Sequence, residues 1–221
     1  MRSRWRKPPD GVLYNSHMLI DLSIKLNQDT PAYPGDPTID LQHTEQFEKD
    51  GYSGHQVTMG THTGTHIDAP AHMLAGGQTL GQFPLETFVG IGKCIDARTE
   101  FSVAACEAVG IEEGDIVLFN TGMAHQLHDA TYFTDYPVMD DALTAYLVGK
   151  RVKMVGLDTC SADNTDDFRN HKMLLGNNIP ILENLTNLDS LPERNFMVNA
   201  FPLSLDVDGA PTRAVAEVPE S

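Results

Sequence analysis

Cysteine, tryptophan, positive charge and long apolar runs are all scarce in this chain. Cys94, Cys106 and Cys160 are few, odd in number and far apart. That spacing excludes a disulfide framework and fits a reducing compartment, so a cytoplasmic location is expected. Lysine and arginine number 15 against 31 aspartates and glutamates, a formal net charge of −16. Nucleic acid and anionic membrane both require a cationic surface, and neither is expected as a partner. No apolar stretch approaches the roughly 18 residues of a membrane span. The opening MRSRWRKPPDG is basic, but no apolar segment follows it, so it does not read as a secretory signal. Residues 1–16 are expected to form a disordered or extended lead, and 17–221 a single domain.

Histidine, by contrast, is concentrated. His62, His66, Asp68 and His72 fall within the eleven residues HTGTHIDAPAH. Imidazole and carboxylate are both ligands for divalent cations, and clusters of them are the usual form of a metal site. On an extended strand the even-numbered His62, His66 and Asp68 point to one face. Pro70 ends any helix before it. Gly64 places no side chain between the first two histidines. His17, His43, His55, His125 and His128 carry no such pattern and read as surface or half-buried residues, with His55 the best spare. Asp163, Asp166 and Asp167 lack calcium-loop spacing and read as a solvated loop that could line the site. Cys160 reads as a small buried residue.

The element pattern is mixed. Strands are expected at 18–26, 38–47, 55–61, 90–97, 116–120, 152–157, 179–182, 196–205 and 212–218. Ser102 caps a helix over 103–109 that Gly110 stops, and Asp140 caps another that runs to Gly149. A helix over 168–175 carries His171. The expected class is α/β, with early strands clustered and helices mainly from the second half. That favours a layered β/β/α arrangement over a doubly wound sheet.

HTGTHIDAPAH resembles the HxGTHxDxPxH signature of the cyclase-like metal-dependent hydrolases, the family of bacterial kynurenine formamidase and isatin hydrolase. The likeness continues through Pro31–Asp36 (PAYPGD), Gly156–Asp163 (GLDTCSAD), His171, Ile181–Leu185 (ILENL), Leu191–Phe196, Phe201–Leu203 and Thr212–Ala216, spanning about Leu19 to Glu217.

The resemblance implies a swivelling β/β/α domain with a mixed sheet, assembled as a homodimer or higher homo-oligomer. It implies two divalent metal ions, zinc first and manganese second. His62 and His66 would hold one ion and His171 the other. Asp68 and Glu183 would bridge them, and His72 would act as general acid and base. The substrate would be a small aryl amide, most simply N-formylkynurenine, and Tyr33 would face it. Tyr33 stands where formamidases usually carry tryptophan, and the stretch after Thr121 lacks the tryptophans expected of a formamidase. Both departures keep open the ring opening of a cyclic amide such as isatin. Isatin hydrolases tend to have an amide where this chain has Glu183, so the carboxylate favours two ions. The alternative from another class is a metal-binding protein without turnover.

Overall fold

The computed structural model describes residues 17–219, so the expected lead at 1–16 lies outside the described residues. The chain runs β1 (His17–Asp21), β2 (Asp40–Glu45), α1 (Phe47–Asp50), β3 (Gly54–Thr58), β4 (His66–Asp68) and β5 (Val89–Asp96). It continues through α2 (Val103–Val109), β6 (Ile116–Asn120), α3 (Asp141–Lys150) and β7 (Met154–Leu157). The last elements are α4 (Arg169–Gly176), β8 (Ile181–Glu183), β9 (Phe196–Pro202) and β10 (Gly209–Pro219).

Strands β10, β4, β8, β7, β6, β5 and β9 follow one another in a mixed sheet, and β9 pairs back onto β10 to make it barrel-like. The long β10 makes this closure. Its start pairs with β4, its middle with β9, and its end with β1. The pairs β5–β6, β6–β7 and β7–β8 are parallel, with α2, α3 and α4 in the successive crossovers. Early strand β4 and the later strands thus lie in one mixed sheet. Among the described residues, only β2 and β3 form a separate sheet.

Side-chain parity explains how the sheet is buried on both faces. Ile116, Leu118, Met154, Leu182, Val198, Ala200, Ala214 and Ala216 fill one cluster. Their alternate neighbours Val117, Phe119, Val155, Leu157 and Ile181 pack with Leu143, Leu147, Leu174 and Leu175 of α3 and α4. The inner cluster is rich in alanine, which suits a narrow closed sheet. The helices start where the sequence predicts. Ala105 N–H donates to Ser102 Oγ at 3.4 Å, and Leu143 N–H donates to Asp140 Oδ1 at 2.8 Å.

Several strand bounds need correction. The strand expected over 18–26 stops at Asp21, and that over 55–61 stops at Thr58, short of the histidine cluster. The strand over 38–47 stops at Glu45, because Phe47–Asp50 turns into α1. There the Asp50 carboxylate accepts from Gln46 N–H, and Gly51 takes φ 79° to end the turn. The strand over 196–205 stops at Pro202.

Candidate metal centre

The cluster segment is not one extended strand. Only His66–Asp68 is strand. His62 lies in the turn before it, and His72 in the single turn of 3-10 helix at Pro70–His72. The common face predicted for His62, His66 and Asp68 thus holds for the last two alone. The turn is compact because Gly64 adopts φ +68°, and a Cβ there would lie 2.3 Å from Leu26 Cδ2.

Strand pairing supplies the distal carboxylate. His66 lies directly opposite Glu183 in the antiparallel β4–β8 pair. Ile67 and Leu182 between them point into the inner cluster. His66, Asp68 and Glu183 therefore share the opposite face, the one covered by α4. His171 sits on the buried face of α4, three and four residues before Leu174 and Leu175.

His62, His66 and His171 converge on Asp68, and Glu183 closes the group. Asp68 Oδ1 lies 2.7 Å from His62 Nδ1 and 3.2 Å from His66 Nε2, and Oδ2 lies 3.5 Å from His171 Nε2. Glu183 stands 3.6 Å from His66 Nε2 and 3.3 Å from His171 Nε2. Each imidazole is gripped from behind by its other nitrogen. His66 Nδ1 pairs with the Gly64 carbonyl at 2.8 Å, His171 Nδ1 with Asp163 at 2.8 Å, and His62 Nε2 with Asp208 at 2.9 Å. Such backing fixes tautomer and ring orientation in metal sites.

Asp163 corrects the solvated-loop reading. It is buried, and its carboxylate also accepts from the backbone N–H groups of Asn170 and His171, capping α4 from a distance. Asp166 and Asp167 are exposed, as expected. Cys160 is buried against Tyr132 and Tyr136. His55 stacks on His43 in the small β2–β3 sheet and takes no part in the cluster.

The electrostatics are those of a site built for positive charge. Burial opposes charge on His62, yet the carboxylates of Asp68 and Asp208 outweigh it and raise its pKa to about 9. Burial likewise opposes charge on His66 and His171, and neighbouring carboxylates again prevail and raise both. Asp68 is held well below the usual carboxylate range despite its burial, by His66, His171 and His62. His72 behaves differently: burial pushes its pKa down.

The residues fit a divalent cation on one further observation. His66 Nε2 and Asp68 Oδ2 are both buried without a hydrogen-bond partner. Orphaned buried polar atoms are costly, and here one is an imidazole nitrogen and the other a carboxylate oxygen. His62, His66 and Asp68 offer donor atoms within 4.8 Å of one another, as do Asp68, His72 and His171. Their chemistry, neutral nitrogen with carboxylate oxygen, suits a divalent cation.

The cluster floors a cavity of about 400 Å³. Tyr33 lines it, packed edge-on against Phe133 with ring centroids 5.8 Å apart. Phe168 lines it as well, edge-on to His171. Sequence reasoning missed Phe133, Phe168 and Asp208. Phe133 lies in a segment with no periodic pattern, and Phe168 stands at the start of the expected helix, where nothing in the sequence marks it as facing the site. Asp208 becomes relevant only because β10 pairs with β4, placing Gly209 opposite Asp68.

This fold and donor set define a metal-hydrolase type of site, and comparison with known proteins agrees. The model of the Cyclase family matches residues 20–164, and the chain belongs to that family. It is 32% identical over 205 residues to the kynurenine formamidase of Bacillus mycoides, covering 89% of this chain and 95% of that one. Isatin hydrolase A from Ralstonia solanacearum superposes with a TM-score of 0.82 at 25% identity, covering 91% and 92% of the two chains. A potential metal-dependent hydrolase with cyclase activity superposes at 0.78 with 29% identity, over 93% of this chain and all of that one. Among the described residues, no helix is long and apolar enough to cross a membrane.

Proposed function

We propose that this protein is a metal-dependent hydrolase of small aryl amides that cleaves N-formylkynurenine to kynurenine and formate. The carrying observation is the meeting of His62, His66, Asp68, His171 and Glu183 around two orphaned buried atoms at the base of one aromatic-lined cavity. We read the domain as residues 17–221 in the swivelling β/β/α arrangement, cytoplasmic, and working as a homodimer or higher homo-oligomer.

His62, His66, Asp68, His171 and Glu183 would hold two divalent ions, zinc or manganese. When bound, such ions polarise a carbonyl and lower the pKa of water from about 16 to about 7. The chain's own residues do the rest. Asp68 and Glu183 offset the positive charge from inside the cluster. Tyr33, Phe133 and Phe168 enclose the aryl ring on the apolar side of the cavity. His72 handles the proton. Burial keeps its imidazole neutral near pH 7, so it accepts a proton from water as the new carbon–oxygen bond forms. It then delivers that proton to the departing aniline nitrogen as the carbon–nitrogen bond breaks. Water and amide are consumed, and formate, one proton and the free amine are released.

Purified protein reloaded separately with Zn²⁺ and Mn²⁺ is assayed against N-formylkynurenine. Turnover that disappears on chelation is expected. No turnover with any metal overturns the substrate assignment.

A second reading, ring opening of a cyclic amide, draws on the likeness to isatin hydrolase A. Tyr33 and a stretch after Thr121 without tryptophan are compatible with it. An isatin arm in the same assay, with kcat/KM compared between the two substrates, decides between them.

A further inference from the structure

The start of β10 is shaped around His62. Asp208 Oδ2 lies 2.9 Å from His62 Nε2 and 3.4 Å from His72 Nδ1. The two rings stand face to face, centroids 4.0 Å apart and tilted by 34°. One carboxylate oxygen thus meets both imidazoles on the side away from Asp68. The next residue makes room for the same ring. A Cβ on Gly209 would lie 2.5 Å from His62 Cε1 and 3.0 Å from both ring nitrogens. The backbone locks this corner to the ligand segment, because Ala69 N–H donates to the Asp208 carbonyl at 2.8 Å.

We propose that Asp208 is a positioning residue for the metal centre, tying the His62 imidazole to the His72 imidazole through one carboxylate. The proposal rests on the metal-hydrolase reading above. A carboxylate accepts and does not donate, so His62 must present N–H at Nε2 to Asp208. With Nε2 committed to Asp208, Nδ1 is the nitrogen turned toward Asp68, 2.7 Å away, on the side where a cation belongs. Asp208 also draws His72 Nδ1 into the same contact. Among the described residues His72 Nε2 then has no hydrogen-bond partner. Gly209 supports the arrangement by leaving the space that the ring occupies.

Metal-free protein is titrated with Zn²⁺ and, separately, Mn²⁺ against a competing chelator, for the wild type and for Asp208→Asn, Asp208→Ala, Asp208→Glu and Gly209→Ala. Loss of an outer-shell partner weakens metal affinity roughly 10–100-fold. Asp208→Ala is expected in that range, with kcat lowered and KM little changed. Asp208→Glu should recover part of the affinity. Gly209→Ala should weaken metal binding although it removes no donor atom. Should Asp208→Ala not fold, Asp208→Asn carries the same test, since it keeps the shape and loses the charge. Affinity within twofold of wild type in folded Asp208→Asn and Asp208→Ala overturns the assignment and leaves the hydrolase reading intact. Wild type that takes up neither metal overturns both.

Discussion

The two halves of the metal centre are built by different means. His62, His66, Asp68 and His72 come from eleven consecutive residues, and local chain geometry alone brings them together. Glu183, His171, Asp163 and Asp208 come from four separate places between residues 163 and 208. They arrive through an antiparallel pairing, a crossover helix, a long-range cap and a closing strand. The near half supplies the hub, Asp68. The far half supplies the second wall of carboxylate and imidazole, and it holds two of the three rings from behind. A compact motif therefore offers candidate ligands and orients His66 through Gly64, while distant carboxylates orient His62 and His171.

The sharpest way to break this contrast is to remove the hub. Asp68→Asn leaves His62, His66 and His171 facing one another around a neutral group. Both halves should then fail together, with metal content lost. Charge stabilisation by the ions is worth several kcal/mol, and at about 1.36 kcal/mol per tenfold the rate should fall by roughly 10³ or more. Elemental analysis alongside kcat/KM checks this. Retention of a full metal complement would show that the far half holds its ion without the near one.

His72→Ala separates ligand from proton shuttle within the near half. Turnover should fall about 10²–10⁴-fold, the usual worth of a positioned acid or base, while metal content stays near wild type. This variant also tests the binding-only alternative, which needs the metal but not His72. Metal loss in the variant would move His72 into the ligand set, where its distance to Asp68 and His171 also allows it to stand.

How legible these halves are in the sequence follows the same division. The near half can be read because three histidines and an aspartate, all metal-binding in chemistry, recur at short spacing. The capped helices can be read as well, since Ser102 and Asp140 act within three residues of themselves. Closure of the sheet cannot be read so directly. Nothing in Phe196–Pro202 states that it pairs with both β5 and β10. Asp163 misleads for a related reason. Its neighbours Asp166 and Asp167 are solvated, and only the arrival of the first turn of α4 makes Asp163 a buried acceptor. His171 and Glu183 were placed by family resemblance. The structure brings them to Asp68 and His66 by strand register and helix face, two features that span more than 100 residues of chain.

Asp163→Asn probes the far half by itself. The variant loses the charge behind His171 Nδ1 and weakens the cap on α4. Metal affinity should drop about 10–100-fold. Stability of the metal-free protein should drop by about 1 kcal/mol, the typical worth of a cap. Chelator competition and thermal unfolding measure the two effects. A loss of stability with unchanged affinity would confine Asp163 to capping.

The mildest test changes only pH and sets the metal-free protein against the loaded one. His62 in the folded metal-free protein has a pKa raised to about 9, against about 6.5 when unfolded. The folded state therefore holds more protons than the unfolded state between those values. The stability this contributes is complete below pH 6.5 and is lost as pH rises through about 9. His66 and His171 are raised too and act in the same sense. His72 is lowered by burial and acts in the opposite sense, favouring the folded state as pH rises toward 6.5. Above pH 6.5 the raised histidines are left to set the trend, so the unfolding temperature of the metal-free protein should fall from pH 6.5 to 9. In loaded protein the ions stand in for those protons, and binding tightens as ligands deprotonate. Its unfolding temperature should hold or rise over the same range. Parallel curves for the two forms would mean that cations and protons do not compete for these imidazoles, and the contrast between near and far halves would lose its electrostatic basis.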